Sequence, residues 1–190
     1  MKRISAILLA GVAAFAVIAT LAGPVPSAAG EMTTTVGGAP MYPSKNIVQN
    51  AVNSKDHTTL VAAVKAAGLV DTLMSPGPFT VFAPVNKAFE KLPAGTVESL
   101  LKPENKATLT SVLTYHVIAS RLSADDLKAK VQAGGGKATL TTVQGEMLTV
   151  EQDGRRIAII DAKGDKSFVT IPDVNQSNGV IHVVDTVLLP

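Results

Sequence analysis

The sequence predicts an α+β fold, on three observations. Helix-period apolar patterns follow one another from Lys45 to Val131, and β-rich segments separated by turn signals run from Ala138 to Leu189. No strand–helix–strand alternation links the two kinds of segment, which argues against a parallel α/β sheet. No internal repeat is visible in the 190 residues, so a single copy of one module is expected.

The first segment reads as an export signal. Lys2 and Arg3 form a short positive start, and Ile4 to Ala22 is an apolar run. Gly23-Pro24-Val25-Pro26 breaks it, and Ser27 and Ala29 offer the small side chains a signal peptidase accommodates. Residues 1–29 are therefore assigned to a signal peptide cleaved after Ala29. The rival is a retained anchor, since a run of this length could span a bilayer; the small-residue exit favours cleavage. Gly30 to Ser44 is rich in Thr, Gly and Pro and reads as a flexible spacer, which leaves 45–190 as the folded domain.

Within the domain each element has its own signal. Ile47, Val48 and Ala51 share a helix face, with Ser44 as candidate N-cap. A second helix opens near Asp56, turns Leu60, Val61 and Val64 inward and closes at Gly68. Leu69 to Leu73 makes a short helical turn, stopped by Ser75-Pro76-Gly77-Pro78. Phe79 to Ala83 is a strand ending at Pro84, and Asn86 is expected to cap the helix carrying Ala88, Phe89 and Leu92. Two more helical pieces, Thr96 to Leu101 and Glu104 to Thr114, precede an extended stretch from Tyr115 to Ala119. Ser123 and Asp126 form a capping box for a helix over Ala124 to Val131, and Gly134-Gly135-Gly136 marks a flexible corner. The strands follow at Ala138 to Val143, Met147 to Glu151, Ile157 to Asp161, Phe168 to Ile171 and Val180 to Leu189. Gln144-Gly145, Asp153-Gly154 and Asn178-Gly179 supply turns between them. Both faces of the last strand are apolar, which places it at the centre of a sheet.

Composition removes several functions. The net charge of +2 resides in Lys2 and Arg3, since 17 basic and 15 acidic residues become 15 and 15 without them. A neutral domain with no basic run longer than two residues lacks the footprint of a nucleic-acid binder. Cysteine is absent, which excludes disulfides, thiolate chemistry, Cys-based zinc sites and a lipoprotein anchor. His57, His116 and His182 are far apart in sequence and form no ligand pair, so no metal or cofactor is expected. No Gly-x-Ser-x-Gly elbow occurs, and Gly134-Gly135-Gly136-Lys137 fails as a phosphate loop because a strand follows it. Asn175-Gln176-Ser177 is a glycosylation sequon, relevant only in a host with that machinery.

Three segments carry a family resemblance. Thr80-Val81-Phe82-Ala83-Pro84-Val85-Asn86-Lys87-Ala88-Phe89 resembles the first signature of fasciclin domains, and Asn178 to Pro190 resembles the second. Between them, Leu113-Thr114-Tyr115-His116-Val117-Ile118 is similar to the family's central Tyr-His element. The resemblance spans roughly Asn46 to Pro190. It implies a fasciclin-like fold, with N-terminal helices packed on a β-sheet or β-wedge formed largely by the C-terminal half. Val85 stands where the family commonly has Thr, which leaves capping to Asn86.

The resemblance also implies a secreted or periplasmic, non-catalytic adhesion module that contacts matrix, cell-surface or envelope partners. Tyr115, His116 and Asp185 are its candidate partner-binding residues. Each has a plainer reading: His116 as a buried ring satisfied by a backbone carbonyl, Tyr115 as core, and Asp185 as a paired carboxylate in an apolar strand. In some animal relatives the position of Asp185 belongs to an integrin-recognition element, a role this sequence does not itself imply. The alternative function is carriage of an apolar small molecule, a carotenoid or lipid, suggested by the aliphatic excess and by Met32, Met41, Met74 and Met147. A hydrolase is the weakest reading.

Overall fold

The computed structural model describes residues 32–190, so the expected signal peptide lies outside the described residues. The expected spacer is corrected at once. Thr34–Val36 (β1) and Ala39–Met41 (β2) form an antiparallel hairpin, and Val36 and Met41 are buried in the main core. Gly37 and Gly38, with φ of 59° and 76°, supply the two left-handed positions that a two-residue hairpin turn requires.

The helices come next: Ile47–Ala51 (α1), Thr58–Ala67 (α2), Val70–Met74 (α3), Asn86–Glu90 (α4), Thr96–Leu100 (α5), Lys106–Tyr115 (α6) and Ala124–Ala133 (α7). Gly68 ends α2 in the left-handed conformation, as its position predicts. The Ser123–Asp126 capping box of α7 is present on both sides. Two expected caps are reassigned. Asn46, not Ser44, caps α1, in a capping box with Gln49. Val85 occupies the N-cap position of α4, and the Asn86 side chain turns away to α2. There its Oδ1 accepts the Thr59 N–H at 3.1 Å and the Thr58 hydroxyl at 3.2 Å. The residue is a cap, but of a helix that starts 28 positions earlier.

The strands are Phe79–Pro84 (β3), Val117–Ile118 (β4), Lys137–Thr141 (β5), Met147–Asp153 (β6), Arg156–Ile160 (β7), Lys166–Gln176 (β8) and Gly179–Val184 (β9). They form a seven-stranded sheet in the order β4-β3-β9-β8-β7-β6-β5. The pairing is antiparallel except for β3 and β9, which run parallel. All six residues of β9 are buried, as its two apolar faces predict. It is shorter than expected and stops at Val184, which puts Asp185 beyond the strand. Two register shifts bend the long β8, and Asp173, at φ 55°, lies within the second. The sheet curls until the Val143 N–H, just past β5, donates to the Val117 carbonyl of β4 at 2.8 Å. The result is a wedge that nearly closes into a barrel.

β3 and β9 are the wall between two cores. Val81, Ala83, Ile181 and Val183 face the first, with the hairpin, α1 to α4 and α6. Phe82 and Val184 face the second, inside the wedge, with α7 and β5 to β8. Adjacent residues on a strand point to opposite faces, so one pair of strands serves both.

Candidate functional site

The residues singled out by sequence prove to be hydrogen-bonding centres. Tyr115 closes α6 with none of its surface exposed, and its hydroxyl donates to the Met147 carbonyl (3.3 Å) while accepting the Ala162 N–H (2.9 Å). His116 follows at 3% exposure. Its Nδ1–H donates to the Val112 carbonyl at 2.7 Å, and its Nε2 accepts the Leu188 N–H at 3.0 Å. These two bonds demand the neutral ring, and desolvation by burial lowers its pKa from 6.5 to about 4. As partner-binding residues Tyr115 and His116 are therefore corrected: neither presents a surface, and both tie α6 to distant chain.

Asp185 differs. It is half-buried past the end of β9, and its Oδ1 accepts the Phe168 N–H (2.9 Å) and the Thr186 hydroxyl (3.1 Å). The Thr186 oxygen in turn accepts a hydrogen bond from the Lys91 ammonium at 3.1 Å. Lys91, Thr186 and Asp185 thus form a short polar chain at the surface, the one place where a candidate residue meets solvent.

Several centres escaped the sequence reading. Asn178, only 6% exposed, accepts the Ile47 N–H at its Oδ1 and donates from Nδ2 to the carbonyls of Leu73 and Ser75. It fastens α1 and α3 to the start of β9. A side chain at the next residue, Gly179, would run into the Phe79 carbonyl, so the Asn-Gly pair serves close packing as well as a turn. Asp161 accepts the Leu189 N–H at 3.0 Å, which with His116 pins two successive residues of the C-terminal segment. His182 donates from Nε2 to the Leu122 carbonyl (2.8 Å), accepts the Asp173 N–H at Nδ1 (3.2 Å) and stacks on Phe82. Burial lowers its pKa too. No local pattern distinguishes such residues from ordinary polar ones, because their partners lie up to 131 positions away.

His57 is the exception among the imidazoles. It is 4% exposed, its Nδ1 bonds the Ser54 hydroxyl at 2.9 Å, and its Nε2 has no hydrogen-bond partner. Among the described residues no three His, Cys, Asp or Glu side chains gather to hold a metal. No described helix is long and apolar enough to cross a membrane.

A curled seven-stranded wedge packed by helices, closed by signatures that are mostly interior, defines a structural class. A family model described as the fasciclin domain matches residues 55–190. The Synechocystis protein sll1483 is 47% identical over 161 residues, covering 84% of this chain and 82% of the relative. The immunogenic protein MPB70 of Mycobacterium bovis is 37% identical over 145 residues, covering 74% and 66%. Among solved structures, a FAS1 domain pair from the insect cell adhesion molecule Fasciclin I aligns with a TM-score of 0.69 at 25% identity. That alignment covers 78% of this chain and 52% of the pair. The chain belongs to the fasciclin domain family.

Proposed function

We propose that the chain is an exported, non-catalytic binding module of adhesion type, secreted or periplasmic, that holds matrix, cell-surface or envelope partners by its exterior. The observation behind this reading is that the histidines and the leading asparagine of its central and last signature segments are used inside the fold. His116, His182 and Asn178 have their polar atoms bonded to backbone or ring partners, which leaves no acid–base pair free for chemistry. The likeness to an insect cell adhesion molecule supports the same class. The Lys91–Thr186–Asp185 chain is the candidate contact, since Asp185 is the one of the three candidate residues that is not buried. A single domain of this kind binds weakly and gains hold through many copies.

Deleting the gene should weaken attachment of the host cells to a surface, and restoring it with Asp185→Asn should recover attachment only in part. That substitution removes the charge while keeping an oxygen to accept the Phe168 N–H. Normal attachment by the deletion strain, together with no partner recovered by cross-linking, would remove the reading.

A second reading, carriage of an apolar small molecule, has an internal cavity in its favour. Of the methionines that suggested it, Met41 lines that cavity, whereas Met32, Met74 and Met147 are exposed. The space is about 60 Å³. A carotenoid or lipid is many times larger, so any such ligand would lie on the surface.

A further inference from the structure

Strands β5 to β8 fill the wedge with one face and leave the other open. Leu140, Leu148, Val150, Ile157, Ile159 and Val169 point into the wedge, so the residues alternating with them point away from it. Two rows cross this outer face from strand to strand: Lys137, Glu151, Ala158 and Phe168, then Thr139, Thr149, Ile160 and Lys166. Lys137, Thr139, Thr141, Arg156 and Lys166 are exposed on it.

The charges on this face are unevenly used. Glu151 pairs with the ammonium groups of both Lys137, at 3.7 Å, and Lys166. Arg156 has no such partner. Asp153 stands opposite it on β6, yet within the described residues its guanidinium makes no hydrogen bond or ion pair. Instead it lies over the Phe168 ring, with Cζ 4.0 Å from the ring centre. Asp185 steadies that part of β8 by accepting the Phe168 N–H. A guanidinium resting on a ring has lost part of its freedom and keeps its N–H donors, a fork that matches a carboxylate. Less ordering is then left to be supplied on binding.

The rest of the face says what carries the carboxylate. Thr139 and Thr141 are exposed and Thr149 is half-buried, and their hydroxyls make no hydrogen bond within the described residues. Free hydroxyls both donate and accept, which suits a polyhydroxylated ligand. A protein partner would need an apolar anchor near the centre. Here Ala158 is buried, Phe168 lies under Arg156, and exposed Val143 and Met147 stand aside at the β5–β6 turn. An uncharged sugar finds no open ring to stack on. Arg156 and the Thr139–Thr149 row are four residues of β7 apart, roughly 13 Å, so only several linked sugars reach both. We infer that this outer face binds a uronic-acid polysaccharide, with a carboxylate seated on Arg156 and hydroxyls of neighbouring sugars on Thr139, Thr141 and Thr149. The inference rests on the reading of the chain as a binding module and names the class of its partner.

The test is amide NMR on the isotope-labelled full chain, titrated with a galacturonate oligomer, its methyl ester and oligoglutamate. The acid oligomer should bind saturably and shift the amides of β5 to β8. The ester keeps the hydroxyls without the charge, and oligoglutamate keeps the charge without the hydroxyls. Each should bind at least about tenfold more weakly. Arg156→Lys, which loses the fork, should weaken the acid oligomer about fivefold, and Arg156→Gln, which also loses the charge, should weaken it further. Thr139→Val should weaken it about twofold. Arg156 and Thr139 are exposed, so unshifted amides elsewhere confirm that the variants fold. Equal binding of the ester or of oligoglutamate, unaltered affinity in Arg156→Gln, or no saturable binding would each overturn the inference. No cells take part, so these outcomes leave the adhesion reading to be judged by attachment alone.

Discussion

The two cores on either side of the β3–β9 wall are built to different tolerances. Inside the wedge, Leu127, Leu148, Val150 and Ile159 have no exposed surface, and His182 satisfies both its nitrogens. On the helical side the walls are as apolar, yet a cavity remains and an imidazole nitrogen goes unbonded. Sheet register explains the contrast. β5 to β8 are locked to one another by continuous ladders, so their side chains interdigitate in fixed positions. α1 and α3 are five residues each and are placed by a few side-chain bonds, chiefly from Asn178. Short helices on such fastenings cannot be drawn in to close every gap. Tight and looser packing are thus divided between two halves of one small domain.

The largest test of that contrast is paired truncation. Leu148→Ala in the wedge should cost about 4 kcal/mol, because ladder-fixed neighbours cannot collapse into the space. Leu60→Ala beside the cavity should cost about 2 kcal/mol, since that side chain already lacks neighbours on one side. Urea unfolding midpoints measure both, and equal losses would refute the difference.

Acid should expose what the halves share. His57, His116 and His182 all have pKa values lowered by burial from 6.5. The unfolded chain therefore binds more protons than the folded one as pH falls below 6.5. Stability is complete above that pH and declines down to about 4, where His116 itself protonates. His116 alone should contribute a loss of roughly 3 kcal/mol across this window. Its protonation puts a proton on the nitrogen that accepts the Leu188 N–H, so the C-terminal segment should loosen first. Amide exchange at Leu188 against pH would show this.

The smallest effect sharpens the comparison from the opposite direction. Ala83→Val adds methyl groups on the cavity side of the wall and should be neutral or stabilising by up to about 1 kcal/mol in a thermal melt. A clear loss would mean that the helical core is already full.

Much of the domain is legible in the sequence. Gly68, the Ser123–Asp126 box and the double-apolar last strand announced themselves because each acts through neighbours a few residues away. The hairpin at Gly37-Gly38 was equally local, but its Thr- and Pro-rich flanks read as spacer. Asn86 shows the limit: it looked like a cap and is one, but for another helix. Tyr115 and His116 stand out within the Tyr-His element, yet nothing in that element tells whether they point into the core or out of it.

Periodicity, turn residues and caps thus belong to the chain, since the interactions behind them span one turn or one hairpin. Which cap serves which helix, which histidine is satisfied and which is left bare, and whether a void survives are decided when residues 28 to 131 positions apart are brought together. Those pairings depend on how layers fit in three dimensions, and packing has no period to be read along a line of letters.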